Sequence, residues 1–133
     1  MAFTVIIALN LGAMTQDTIN KKLKMRQQLI DISVINMLKA RGIQIVTEHA
    51  IPNHLSSGPK TAKELAALSG LHEASIQRLL SMLSSHGIFH EDEKGTFSLT
   101  ELSELLVSDA PCSIGAYAKT PDAYWWNTIR DLD

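Results

Sequence analysis

Thr61-Ala62-Lys63-Glu64-Leu65-Ala66-Ala67-Leu68-Ser69-Gly70 reads as a short helix with both ends marked. The threonine hydroxyl is placed to accept from the backbone N–H of Glu64, whose carboxylate reaches back to the N–H of Thr61, the reciprocal pairing of a capping box. Gly70 supplies a left-handed stop, and Leu65 and Leu68 are expected to face inward. After Leu71, a second helix is expected from about Glu73 to His86, with Ile76, Leu79, Leu80 and Leu83 on one face and Gly87 as its stop. Two helices joined by so tight a turn make a helix-turn-helix pattern.

On the C-terminal side, Ile88-Phe89-His90 and Thr96-Phe97-Ser98-Leu99 are β-rich and alternating, and the acidic turn from Glu91 to Gly95 joins them into a hairpin, or wing. Thr100 is expected to cap a helix over Glu101 to Val107, with Leu102, Leu105 and Leu106 inward, and Asp109-Ala110-Pro111 ends it. Helix resumes at Ser113 through Ala118, and an apolar-aromatic segment, Tyr124-Trp125-Trp126-Asn127-Thr128-Ile129, runs toward the C-terminus.

On the N-terminal side, the stretch from about Asp17 to about His49 lacks proline and predicts one long helix. Ile30, Val34, Met37 and Leu38 follow the spacing of a buried stripe, while Leu29, Ile32 and Ile35 add apolar side chains on other faces. Such a helix is expected to pack on two sides. Gly42 marks either a break or a place where another helix comes close. Ile51-Pro52-Asn53-His54-Leu55, with Ser56-Ser57-Gly58-Pro59 after it, reads as helix end, turn and loop. The fold expected is mainly α: a winged helix-turn-helix with a small β-hairpin wing and a long N-terminal helix. Residues 1–16 read as an extension, 17–110 as the domain and 111–133 as a C-terminal helical segment.

A chain of 133 residues with 45% apolar and 20% charged residues suits one globular domain and is too apolar for intrinsic disorder. The single cysteine, Cys112, leaves no internal disulfide to form, and the apolar run Ala2 to Leu9 is far short of the roughly 20 residues a membrane span needs. A cytoplasmic protein is the expectation. Net charge is −2 but uneven: residues 1–55 carry six Lys/Arg against three acids, and residues 56–110 carry four against eight. Duplex DNA requires cations on the recognition helix and wing. Here that helix offers only Gln77 and Arg78, and the wing carries Glu91-Asp92-Glu93, so the face should repel DNA. His86 and His90 are four apart, but Gly87 between them removes the one-face geometry of a metal pair. The three hairpin acids read as a solvated tip, and Cys112 has no basic neighbour to activate it.

The stretches Gly58 to Ala66, Ile76 to Leu83, Gly87-Ile88-Phe89, Phe97 to Thr100 and Leu105-Leu106-Val107-Ser108-Asp109-Ala110-Pro111 together resemble the N-terminal domain of S-adenosylmethionine-dependent O-methyltransferases of the plant caffeate and bacterial antibiotic or hydroxyindole type. The resemblance covers roughly residues 30 to 132. It implies a homodimer of intertwined domains, with a separate Rossmann-like domain binding the methyl donor. Two departures stand out. Ala50-Ile51-Pro52-Asn53 replaces the family's frequent Gly-Ile-x-Asp, and no two of the seven glycines are two apart, so no Gly-x-Gly cofactor loop can be drawn. The expectation is therefore a dimerisation and pocket-wall domain without its catalytic domain, inactive alone, with no catalytic, cofactor-binding or metal-binding residues of its own. Ile30, Val34, Met37 and Leu38 are the candidates for the dimer interface. Tyr124, Trp125 and Trp126 are candidates for a substrate-pocket wall, or equally for core aromatics of the last helix. A winged-helix DNA-binding regulator is the alternative that the acidic face argues against.

Overall fold

A computed structural model of the chain describes Gly12 and residues 14–118. These divide between Leu38 and Lys39 into two compact units. The first is built on helix α1 (Gln16–Ile30), whose N-cap Thr15 accepts from the N–H of Thr18, followed by a π-helical turn at Asp31–Ile35. Helix α2 (Asn36–Glu48) then carries the chain into the second unit. The helix expected over Asp17 to His49 is present over nearly that span, but the π turn inside it is a departure from the regular helix that periodicity predicts. Three β-branched residues crowd this turn (Ile32, Val34, Ile35), and Ser33 Oγ donates to the carbonyl of Leu29 at 2.6 Å. Both features weaken a regular α-helix at that point.

In the second unit the core gathers Val46 from α2, Ile51 and Leu55 from the one-turn helix α3 (Ile51–Leu55), Ala62 and Leu65 from α4 (Ala62–Ser69), and Ile76, Leu80 and Leu83 from α5 (Glu73–Ser85). Ile88, Phe89 and Phe97 close it from the sheet side. The sheet has three antiparallel strands in the order β1–β3–β2, with β1 at Lys60–Thr61, β2 at Phe89–Glu91 and β3 at Thr96–Leu99. Phe89 pairs with Leu99 and Glu91 with Phe97, as a hairpin requires. The strand β1 is too short to announce itself in sequence, and it exists because Lys60 and Thr61 pair with Phe97 and Thr96.

Helix ends follow the expected chemistry. Thr61 and Glu64 form both arms of the capping box, and Gly70 closes α4 in the left-handed region at φ 74°. Gly87, at φ 76°, follows the His86 cap of α5. Of the two readings of Gly42, close helix approach is the one observed, since α2 runs through it unbroken. A Cβ there would meet Leu83 at 3.1 Å, Leu79 at 3.2 Å and Met82 at 3.3 Å.

Other expectations need correction. Ile51–Leu55 is a separate helical turn, not a helix end running into a loop: Ala50 reverses the chain with φ 55°, and Pro52, pre-set in φ, sits in the first turn. Leu68 points outward, since a helix as short as α4 turns only Leu65 and Ala62 into the core. The helix after Thr100 spans only Glu101–Glu104 (α6), and of its leucines only Leu106 is buried, while Leu102 and Leu105 face out. Ser103, fully buried, takes the inward place, where it completes a capping box with Thr100. The last described helix is Gly115–Ala118 (α7).

Ala50 stands where the resembled family often carries glycine, and an L-residue in the left-handed region costs about 1–2 kcal/mol. Ala50→Gly relieves that strain while loosening the unfolded chain, so a net gain of about 0.5–1 kcal/mol in urea unfolding is expected. Asn53 is tied to the far end of the unit: its amide donates to Ser108 Oγ at 3.1 Å and its carbonyl oxygen accepts from the N–H of Ser108 at 3.3 Å. At Glu64, the Thr61 N–H and then the Thr61 hydroxyl hold the carboxyl below the usual carboxylate range. The unfolded chain therefore binds more protons there, and the stabilisation is present above the ordinary carboxylate range and lost as pH falls through the lowered pKa. Glu64→Gln should flatten this part of the acid limb of a stability–pH curve, measured by thermal unfolding across that window.

Candidate functional site

The most unusual surface lies on the first unit. Leu23, Met25, Leu29 and Ile30 of α1, Ile32 and Val34 of the π turn, and Met37 and Leu38 of α2 are all between 37% and 66% exposed. No residue of α1 or of the π turn is buried. Large contiguous apolar patches are rare on monomeric proteins and mark association sites. The sequence-predicted residues Ile30, Val34, Met37 and Leu38 all belong to this group, so the stripe read as buried is exposed or half-exposed among the described residues. Sequence reasoning missed Leu23 and Met25. Their signal is present in the spacings Leu23 to Ile30 (i, i+7) and Met25 to Leu29 (i, i+4), but the surrounding polar residues dilute it.

Charge flanks this face. Thr18, Lys21, Lys22, Met25, Arg26 and Leu29 line a shallow open groove on α1, so three cations stand beside two exposed apolar side chains.

Two of the hairpin acids, Glu91 and Asp92, are structural, not merely solvated. Asp92 Oδ1 accepts from the N–H of Lys94 at 2.9 Å and of Thr96 at 2.8 Å, which closes the turn. Glu91 Oε1 accepts from the Gln77 side chain at 2.9 Å, and Gln77 also donates to Ser81 at 3.2 Å. The one amide that would read base edges in the regulator alternative is thus already engaged with the hairpin. His86 and His90 lie on either side of Gly87, one at a helix cap and one on a strand. Among the described residues, no group of three His, Cys, Asp or Glu is arranged to hold a metal, and no helix is long and apolar enough to cross a membrane. Cys112 is exposed. Tyr124, Trp125 and Trp126 lie outside the described residues.

Mainly helical architecture, a small antiparallel sheet and an uncovered apolar helix face together define a class of protein with known members. The family model of the O-methyltransferase dimerisation domain matches residues 29–109, and the chain belongs to that family. Among its relatives is the mitomycin biosynthesis 6-O-methyltransferase of Streptomyces lavendulae, 35% identical over 99 residues that make up 71% of this chain and 28% of that protein. The solved structure of the mitomycin 7-O-methyltransferase MmcR superimposes with a TM-score of 0.70 at 31% identity, over 75% of this chain and 30% of that one. The O-methyltransferase NcsB1 from neocarzinostatin biosynthesis, solved with S-adenosylmethionine and 2-hydroxy-5-methyl naphthoic acid, gives 0.59 at 28% identity, over 62% of this chain and 25% of that one. The chain therefore spans less than a third of the length of these relatives.

Asp92→Ala removes the two side-chain hydrogen bonds that brace the hairpin turn and leaves its backbone bonds in place. A loss of about 1–2 kcal/mol is expected, with faster amide exchange at Lys94 and Thr96 as the local signature.

Proposed function

We propose that this domain holds two copies of its parent protein together as a homodimer, and that the exposed face from Leu23 to Leu38 is the contact, with Ile30, Val34, Met37 and Leu38 at its centre. The observation that carries this is the exposure of eight large apolar side chains on one helical segment. Apolar burial contributes about 25 cal/mol per Å², and stable interfaces take about 800 Å² from each partner, a demand that a helix of this length and composition suits.

The parent is proposed to be an S-adenosylmethionine-dependent O-methyltransferase of the caffeate or hydroxyindole type, acting on a hydroxyl of a small aromatic molecule. The activity for which the mitomycin relative is named and the S-adenosylmethionine held by NcsB1 support that reading. The described residues do not themselves fit the cofactor. Their sheet is antiparallel, and the glycines with positive φ (Gly58, Gly70, Gly87, Gly95) sit in loops, helix stops and a hairpin turn, not after a parallel strand. In this reading residues 1–16 form an extension, 17–110 a winged-helix domain with the β2–β3 hairpin as its wing, and 111–133 a segment toward the cofactor-binding part. Tyr124, Trp125 and Trp126 are the chain's candidates for a wall of the acceptor pocket.

In sedimentation at micromolar concentration the chain should run at twice its 14.6 kDa. Val34→Asp combined with Met37→Asp should return it to the monomer mass with unchanged circular dichroism. A wild-type chain at 14.6 kDa under these conditions would refute the reading.

A further inference from the structure

Helix α1 carries a strong positive charge: over Gln16–Ile30 four Lys/Arg stand against the single acid Asp17. Lys21, Lys22 and Arg26 line its groove beside Met25 and Leu29, and all five residues are exposed. A surface of opposite charge and similar apolarity lies on the second unit. There Leu102 on α6, Leu105 at its C-cap and Ile114 ahead of α7 are 60%, 37% and 49% exposed. Leu106 turns inward, which leaves Leu102 and Leu105, three residues apart, on one outward face. The N–H of Ile114 donates to the carbonyl of Leu105 at 2.8 Å, so the returning chain is fastened beside that face. Residues 101–114 carry the exposed acids Glu101, Glu104 and Asp109 and no Lys, Arg or His. None of these six charged side chains has an ion-pair or hydrogen-bond partner among the described residues.

We propose that the α1 groove seats on the Leu102–Leu105–Ile114 patch of a second copy, with Met25 and Leu29 against the leucines and Lys21, Lys22 and Arg26 facing the acids. This inference rests on the homodimer reading and names a further contact within it, made twice because twofold symmetry gives each copy one groove and one patch. Three observations select this occupant. The surplus of three positive charges on α1 matches the three unopposed acids of residues 101–114. The groove is continuous with the proposed dimer face, since Leu29 lines the one and belongs to the other. The remaining exposed large apolar side chain of the second unit, Leu68, has no such rim: Glu64, one turn before it, is held by Thr61, while Glu91 and Asp92 are held within the hairpin. Exposed ion pairs each add little affinity, so the apolar contact supplies the binding and the charges select which face meets which.

Reversing the charge on one surface should separate the copies, and reversing each surface in a different chain should join them again. Lys22→Glu with Arg26→Glu in one variant, and Glu101→Lys with Glu104→Lys in another, should each weaken self-association about tenfold, since like charges then face each other. An equimolar mixture of the two should recover the dimer mass in sedimentation, because both contacts of the mixed dimer again join opposite charges. All four positions are exposed, so circular dichroism should not change. The wild-type chain gives a readout that needs no variant. Its dimer dissociation constant should rise several-fold between about 0.1 M and about 1 M sodium chloride, as the screening length falls from about 10 to about 3 Å. Folded variants that self-associate as tightly as the wild type, or a wild-type dimer indifferent to salt, overturn the proposal. So does weakening that mixing does not repair, since the patch is then met by some other surface. Failure of the dimer reading appears as a wild-type mass of 14.6 kDa. Failure of this inference alone leaves the wild-type dimer in place and the mixture without rescue.

Discussion

The second unit depends on one row of side chains, Ile76, Leu80 and Leu83 on α5, all essentially sealed from solvent. The elements of its core are placed by what they offer to that row. Helix α2 offers the absence of a side chain at Gly42, where a Cβ would crowd Leu79, Met82 and Leu83 at 3.1–3.3 Å. Interiors are packed to crystal-like density, so a bare position facing three larger ones is a matched shape. Helix α4 contributes Leu65 and the sheet contributes Phe89 and Phe97. The sheet needs only two residues of β1 because its inner face already lies against a helix.

Polar side chains at the edges of this core fix directions more than they add stability. Thr100 donates to the carbonyl of Ile88 at 2.8 Å while capping α6, which joins the end of the hairpin to its beginning. Gln77 joins α5 to the second strand through Glu91, and Asn53 ties the turn of α3 to Ser108, 55 residues away. Each net hydrogen bond contributes only about 1 kcal/mol, yet each removes an alternative path for a loop. The acidic hairpin is therefore a built turn, in which Glu91 and Asp92 are both hydrogen-bonded.

The first unit poses the opposite problem, with more apolar surface than it covers. A helical segment that leaves this many large apolar side chains exposed calls for another surface to meet it. Most of the exposed series, from Leu29 to Leu38, lies within the stretch that the family model of the O-methyltransferase dimerisation domain matches. The π turn at Asp31–Ile35 falls in the middle of the exposed series and adds a residue to the helical turn, so the apolar side chains on its two sides do not keep the register of one regular helix.

The local signals are all present in the sequence: the capping box at Thr61 and Glu64, the stops at Gly70 and Gly87, the apolar row of α5, the hairpin and the excess of apolar residues between Leu29 and Leu38. Each depends on residues within a few positions of one another, where backbone and side-chain chemistry decide the outcome. Only the tertiary structure decided which of equally apolar leucines are covered. Leu65 and Leu68 lie on one short helix and Leu105 and Leu106 are neighbours, yet one of each pair is buried and the other is not. Periodicity cannot make that choice, because it counts apolar faces and not the partners available to cover them. The strand at Lys60–Thr61, the left-handed Ala50 and the choice between break and close approach at Gly42 were likewise settled from outside, by Phe97 and Thr96, by the turn into α3, and by the leucines of α5. Sequence sets what each segment can do alone, and packing selects among those options because only one arrangement fills the core.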